Sequence, residues 1–350
     1  MATTTIPGTT DARLRLHRVG GGDGAPASFA ADVRRGLTST PKRLFPKYFY
    51  DALGSALFDA ICRLPEYYLT RAEDEILARR ADDIARAARE GFGERAPVTL
   101  VEFGSGSSTK TRRVIEALLR RQDGLTYIPV DISVSALEAG ARALLESHPQ
   151  LRVEAYAGDY DAALARLGER RGARGRTLAL FLGSNIGNFD AGEAEDFLRR
   201  VRSVLRPGDA LLVGADLKKD AGVLEAAYDD PLGVTAAFNL NLLARINREL
   251  GADFDLRSFR HVARYDGRAG RVEMHLESTR AQTARVSSLD LEISFGAGER
   301  VHTENSYKYD ADDLSGLAAR AGFALERTWR DAAGLFSSNL LVATSRDDAA

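Results

Sequence analysis

The spacing of apolar residues changes character twice along this chain. From Phe29 to about Ala88 they recur at helical intervals, with polar, aromatic-rich connections such as TSTPKRLFPKYFYD and LPEYYLTRAEDEIL between the helical stretches. From Val98 to Asp216 short apolar runs alternate with helical ones, and VTLVEF, TYIPVD, LRVEAYAGD, TLALFLG and ALLVGAD read as five strands. TLALFLG is almost uninterruptedly apolar, as a strand covered on both faces of a parallel sheet must be. The spacing predicts a helix over Ser108 to Arg121 with Val114, Ile115, Leu118 and Leu119 on its apolar stripe. A second helix opens on a capping box of Ser135 with Glu138, and a third is capped by Asp190 and Glu193, with Phe197, Leu198, Val201 and Leu205 inward. Such alternation predicts a doubly wound sheet that binds ligands at the carboxyl ends of its strands.

After Asp216 the alternation stops. Two helical stretches follow, about Asp220 to Tyr228 and Val234 to Leu250. Period-two runs come next: RVEMHLES, SLDLEISF with Leu289, Leu291, Ile293 and Phe295 inward, and ERVHTENSYKYD. A helix resumes from Asp310 to Ala321, and FALERTWRD with LFSSNLLVATS forms a closing strand pair that completes the first sheet. The expected organisation is a mobile polar tail over 1–27, a second lobe from 28–72 and 217–308, and the sheet domain from 73–216 and 309–350.

Composition narrows the function classes. At 350 residues with a formal charge of −2, the chain lacks the basic excess usual in a general nucleic-acid or anionic-membrane binder. The basic loop Glu169 to Thr177 has no interleaved aromatics and reads as a solvated connection. One cysteine, Cys62, excludes an intrachain disulfide, and the five histidines are scattered without metal-ligand spacing, so no metal is expected. No run reaches membrane-spanning length and no secretory leader is visible, so a cytoplasmic protein is expected.

The chemistry concentrates at the first strand's end. VTLVEFGSGSSTKT is a buried strand, a glycine turn at Gly104 and Gly106 whose backbone can approach a ligand closely, and a helix start. The turn lacks the third glycine of the dinucleotide fingerprint, since Thr109 stands there. Acids follow the strands: Glu102, then Asp131, placed to meet ribose hydroxyls, then Asp159 beside Tyr160, placed to meet an adenine amino group and its ring. Lys110 is placed to meet a carboxylate. S-adenosylmethionine has no pyrophosphate and carries a cation that tolerates acids, so it fits this set better than a nicotinamide cofactor, which stays as the alternative.

Several separated stretches then carry a resemblance. They are GLTSTPKRLFPKYFYDALGSALFDAI, LPEYYLTRAEDEIL, VEFGSGSSTKTR, FLGSNIGNF, YDDPLGVTAAFNLNLLARINRELGADFDL, RVEMHLES and HTENSYKY. From about Ala31 onward the chain resembles the ergothioneine-pathway L-histidine Nα-methyltransferases. The resemblance implies a Rossmann-like class I methyltransferase domain with a second α+β substrate-binding lobe, built from the N-terminal helices and an insertion after the fifth strand. It implies cofactor contact by Gly104, Gly106, Lys110, Asp131, Asp159 and Tyr160. It implies substrate contact by Tyr67, Asn188, Tyr228, Met274 and the segment Glu304, Asn305, Ser306. Glu304 and Ser306 share a strand face by period two, and a carboxylate with a hydroxyl can bond the two ring nitrogens of an imidazole. Asn185, Asn305, Tyr307 and Tyr309 depart from the better-known actinobacterial pattern.

The implied reaction is transfer of three methyl groups from S-adenosylmethionine to the α-amine of histidine, giving the trimethylated betaine hercynine. No general base stands out. Alignment would fall to Asn188, Tyr67 and Tyr50, the last offering a ring face to the growing cation. The expected partner is the small-molecule substrate alone, with no nucleic acid or membrane, and the chain is expected to be a monomer. The rivals are methylation of another amino acid such as tryptophan on the same fold, a dehydrogenase, and a non-catalytic binder.

Overall fold

The structure is a computed structural model that describes residues 4–5, 11–20, 26–90, 97–169 and 175–345. The chain divides into two units. The first takes residues 1–23, 71–217 and 309–350, and the second takes 24–70 and 218–308. The cuts thus fall at 23/24, 70/71, 217/218 and 308/309, against the expected 27/28, 72/73, 216/217 and 308/309.

In chain order the strands are β1 (Thr4–Thr5), β2 (Leu14–Arg18), β3 (Val98–Phe103), β4 (Leu125–Asp131), β5 (Leu151–Ala157), β6 (Arg176–Phe181) and β7 (Ala210–Asp216) in the first unit. The second unit contributes β8 (Phe259–Asp266), β9 (Arg271–Ser278), β10 (Gln282–Val286), β11 (Leu291–Phe295) and β12 (Arg300–Tyr307), and the first resumes with β13 (Phe323–Arg330) and β14 (Phe336–Ala343).

The first unit is one Rossmann-like sheet in the order β1-β2-β5-β4-β3-β6-β7-β14-β13. The strands from β2 to β7 are parallel along this order, and β14 and β13 close the far side antiparallel. The chain winds outward from β3 through β4 to β5, then restarts with β6 on the other side of β3. That reversal is the topological switch point, and it brings the segments after β3 and β6 side by side at carboxyl ends, where such sheets bind ligands. β6 is buried at Leu178, Ala179, Leu180 and Phe181, as its unbroken apolar run requires.

Three expectations need correction here. Leu14–Arg18 was expected in a mobile tail; it is β2, paired parallel to β5, with Leu14 and Leu16 buried. Its alternation is short, and its partner strand lies far along the sequence. Most of the GGGDG run (21–24) and the middle of the basic loop (170–174) lie outside the described residues. The helix after β4 is Val134–Ser147, and Ser133, not Ser135, caps it by accepting from the Ala136 amide. Glu138 instead pairs with Arg142 one turn on. The helix after β3 begins at Arg112 rather than Ser108, because Ser108 sits at φ 55° and breaks the helical path. The helix Ala191–Val204 carries the expected Asp190–Glu193 capping box and buries Phe197, Leu198 and Val201.

The second unit has helices Pro26–Leu37, Ala52–Ile61, Ala221–Tyr228 and Val234–Leu250, a three-stranded antiparallel sheet in the order β12-β9-β8, and a ribbon of β10 with β11. Leu289 lies in the turn Ser287–Leu289 before β11 and not on the strand. The central strand β9 buries Val272, Met274 and Leu276 on one face. Phe49 stacks on Phe238 of Val234–Leu250, with ring centroids 4.4 Å apart. Each such fully buried ring contributes roughly 1.5–3 kcal/mol.

Candidate functional site

In the first unit the glycine turn is braced from below by a buried acid. Glu102, the next-to-last residue of β3, accepts from Thr111 Oγ1 at 2.5 Å and from the Tyr127 hydroxyl. Tyr127 in turn lies 2.8 Å from Ser108 Oγ. Burial pushes the Glu102 carboxyl up to about 7 despite these hydrogen bonds. Glu102 therefore faces the packing beneath the turn, and it fixes both ends of the segment Ser108 to Thr111.

Above it, Gly104 takes φ 72°, and a Cβ there would lie 2.8 Å from Tyr160 Oη and 3.0 Å from Asn185 Nδ2. Glycine is required twice over, by conformation and by space. Gly106 has nothing within 4 Å of the position its Cβ would take. Asp131, at the end of β4, accepts from the Gly106 amide at 2.8 Å and the Ser133 amide at 2.9 Å. Burial raises its carboxyl, with those amides opposing the shift. Two amides leave carboxylate lone pairs for further donors such as ribose hydroxyls. Asp159 Oδ1 is spent on the Ala162 amide at 2.7 Å, capping the helix Tyr160–Glu169. Tyr160 packs edge-on against Phe103 and Phe181 and places its hydroxyl over Gly104.

Lys110 does not stand toward solvent as a first-turn lysine. It forms an ion pair with Glu73, a fully buried acid on the helix Leu69–Ala87. Sequence reasoning missed Glu73, although it sits on the helix's apolar stripe with Leu69, Ala72, Ile76 and Leu77. An acid at a core position is the signal that marks it. Glu73 also accepts from the Gly183 amide, 2.8 and 3.0 Å from its two oxygens. Gly183 and Ser184 both take positive φ, 75° and 59°, directly after β6. Ser184 Oγ accepts from the Asp216 amide at 3.0 Å, and Tyr309 Oη donates to the Ile186 carbonyl at 3.1 Å. These contacts fix the turn Asn185–Asn188, on which Asn188 is half-buried.

In the second unit the decisive feature is a β-bulge. Up to His302 the register of β12 on β9 is one-to-one; His302 faces His275 and Glu304 faces Met274, leaving Thr303 as the extra residue. Strict alternation from the buried Val301 would place Asn305 inward. The bulge reverses that parity, so Glu304 and Ser306 join the face of Met274 and Val272, and Asn305 turns to the other face. There its Oδ1 lies 2.8 Å from His302 Nε2. The structure thus separates Asn305 from the rest of the expected substrate set.

Glu304 is 7% exposed, and its carboxylate accepts no hydrogen bond among the described residues. Burial raises it to about 7, with the positive charge of Lys308 opposing the shift. Ser306 Oγ lies 2.7 Å from Tyr228 Oη. Tyr228 is set from behind: Asn239 Nδ2 donates to His261 Nδ1 at 2.8 Å, so the other ring nitrogen donates to the Tyr228 carbonyl, also at 2.8 Å. Burial holds His261 below the ordinary histidine range, which keeps this neutral tautomer. Tyr67 meets Tyr228 edge-on at 6.1 Å and Phe58 at 6.2 Å, and Tyr50 meets Phe58 at 5.5 Å, giving one aromatic group. Burial drives the Tyr67 phenol well above its ordinary value, so it acts as a neutral donor. No group of His, Cys, Asp and Glu suited to a metal ion occurs among the described residues.

Residues 29–343 match the family described as histidine-specific methyltransferase, SAM-dependent. The histidine N-alpha-methyltransferase of Mycobacterium tuberculosis is 46% identical over 320 residues, covering 91% of this chain and 96% of that protein. Its counterpart from Mycolicibacterium smegmatis is 44% identical over the same coverage. Ergothioneine biosynthesis protein 1 of Schizosaccharomyces pombe is 28% identical over 297 residues, 84% of this chain but 38% of that one.

Proposed function

The chain belongs to the histidine-specific, S-adenosylmethionine-dependent methyltransferase family, and we propose that it methylates the α-amine of L-histidine up to the trimethylated betaine, the entry reaction of ergothioneine synthesis. The observation that carries the choice of substrate is Glu304: a buried carboxylate with no hydrogen-bond donor among the described residues, on one strand face with the Ser306 hydroxyl. Such a group is costly unless a ligand donates to it. An imidazole supplies an N–H for Glu304 and a second ring nitrogen for Ser306. An indole has one N–H and no second ring nitrogen, so it would leave Ser306 unmatched.

The first unit suits the donor. Gly104 and Gly106 leave the backbone open to it, Asp131 keeps lone pairs for a diol, and Tyr160 and Asp159 flank the end of β5. When bound, S-adenosylmethionine would supply an electrophilic sulfonium methyl; the unprotonated α-amine would attack it in line from about 3–3.5 Å, the C–S bond would break and S-adenosylhomocysteine would leave, with the nitrogen losing a proton before the next transfer. The residues' task is orientation. In the second unit Tyr67 is a neutral donor and Tyr228 offers a hydroxyl, both suited to the carboxylate end of an amino acid; in the first unit Asn188 offers an amide. The ring faces of Tyr50 and its neighbours suit a cation that gains methyl groups and cannot gain hydrogen bonds.

Glu304→Ala tests the assignment. It should keep S-adenosylhomocysteine binding and lose about 10- to 100-fold in histidine affinity, the worth of a charge-assisted hydrogen bond. Full histidine affinity in that variant would defeat the imidazole assignment.

A further inference from the structure

The face of β12 that carries Glu304 and Ser306 carries a third polar residue just past the strand's end. Lys308 follows at period two, and only 2% of it is exposed. Its Nζ lies 2.9 Å from Tyr228 Oη and 2.9 Å from Ser306 Oγ, and 4.5 Å from the centre of the Tyr228 ring. The two hydroxyl oxygens are 2.7 Å apart, so the three polar atoms form a triangle. Its backbone amide is tied to the Gly270 carbonyl at 2.8 Å, which fixes where the side chain starts.

An ammonium only donates. Tyr228 Oη and Ser306 Oγ must both present lone pairs to Lys308, so both hydroxyl hydrogens point away from it. Lysine is almost never buried to this degree without a partner, and a methionine of the same length would fill the space at lower desolvation cost. Two of the groups it touches, Tyr228 and Ser306, are among those assigned to the amino acid.

We propose that Lys308 is a positioning residue of the amino-acid site: it sets the direction of the Tyr228 and Ser306 hydroxyls and supplies the positive charge that balances the Glu304 carboxylate. The proposal rests on the reading of that site as a histidine site. Lys308 acts through Tyr228, Ser306 and Glu304 and takes no part in bond making.

The test uses the full chain, with calorimetric titration of S-adenosylhomocysteine and histidine and steady-state kinetics. Lys308→Met should leave S-adenosylhomocysteine affinity within about twofold while raising the Kd and KM for histidine about tenfold or more, with a smaller fall in kcat. In a Tyr228→Phe, Ser306→Ala, Glu304→Gln background the same substitution should cost histidine binding only about twofold, because the groups it acts through are gone. Unchanged histidine affinity would overturn the proposal, and so would an equal loss in both backgrounds, which marks a packing role. If Lys308→Met does not fold, Lys308→Arg decides. It keeps the charge and the donors, so histidine affinity within about fivefold of the parent supports the proposal, and a larger loss overturns it. Failure of the histidine reading itself shows separately, as an unmodified chain that binds S-adenosylhomocysteine and no histidine, and takes this assignment with it.

Discussion

Glu73 turns its carboxylate onto the backbone amide of Gly183, with both oxygens within 3.0 Å of the nitrogen. The same carboxylate is ion-paired with Lys110. One buried acid thereby links the lysine after the first glycine turn to the turn after β6, the two segments that flank the switch point. The space for it exists because residue 214 on β7 is glycine; a Cβ there would lie 2.1 Å from Glu73 Oε1. Gly214→Ala should therefore lower unfolding stability by about 1–3 kcal/mol, the cost of overpacking a fitted core. Urea unfolding reads this directly, and an unchanged midpoint would mean that Glu73 is not held where described.

Glu73→Gln preserves the shape and removes the charge. It should weaken S-adenosylhomocysteine binding about tenfold, the equivalent of roughly 1.4 kcal/mol, since Lys110 and Gly183 lose the carboxylate that fixes both. Histidine-site residues of the second unit are untouched by the change. Calorimetric titration checks it, and wild-type cofactor affinity would contradict the linking role.

Gly104→Ala should be worse for the cofactor than for the fold. Alanine at φ 72° costs about 1–2 kcal/mol in backbone strain, and its methyl would press on Tyr160 Oη at 2.8 Å. The expected result is a folded protein with S-adenosylhomocysteine affinity reduced at least about tenfold. Adding Tyr160→Phe removes the oxygen in the way and should return part of the stability but not the strain. No gain in thermal midpoint in the double variant would show that the phenol is not the obstacle.

The pH dependence of stability reports on Glu304. Burial raises its carboxyl from the ordinary 4.5 to about 7 in the fold. A group raised in the folded state contributes fully below its unfolded value, and the contribution is lost as pH rises through the folded one. Stability from this residue should fall between about pH 4.5 and 7, by up to roughly 3 kcal/mol. Glu304→Gln stays neutral throughout, so the variant should gain on the parent between about pH 5 and pH 8. Glu102, also raised to about 7, is present in both proteins and cancels. Parallel urea midpoints across that range would contradict a carboxylate buried without a hydrogen-bond donor among the described residues.

The sheet was legible because strands covered on both faces read as apolar runs, and TLALFLG leaves no other choice for β6. The glycine turn and the acids at Asp131 and Asp159 were legible because ligand approach at carboxyl ends demands small and polar residues at fixed places. What escaped depends on contacts far apart in sequence. Leu14–Arg18 becomes a strand only by pairing with β5. Lys110 finds Glu73 across 37 positions, which no local pattern reports, although an acid on an apolar stripe marks Glu73 itself. Asn305 stands between two expected ligands and so on the opposite face of the strand, and the bulge at Thr303 decides that Glu304 and Ser306, not Asn305, take the face of Met274. Lys308 shares the period-two face with Glu304 and Ser306 and was open to the same reasoning. Asp159 illustrates a different limit, since one carboxylate can cap a helix and meet a ligand with separate oxygens, and sequence cannot apportion them.

The most direct test of the central claim is a mass-spectrometric survey of the purified chain incubated with S-adenosylmethionine and each common amino acid in turn. The expected result is successive gains of one, two and three methyl groups on histidine and on no other amino acid. No gain on histidine, or a gain on tryptophan in its place, would contradict it.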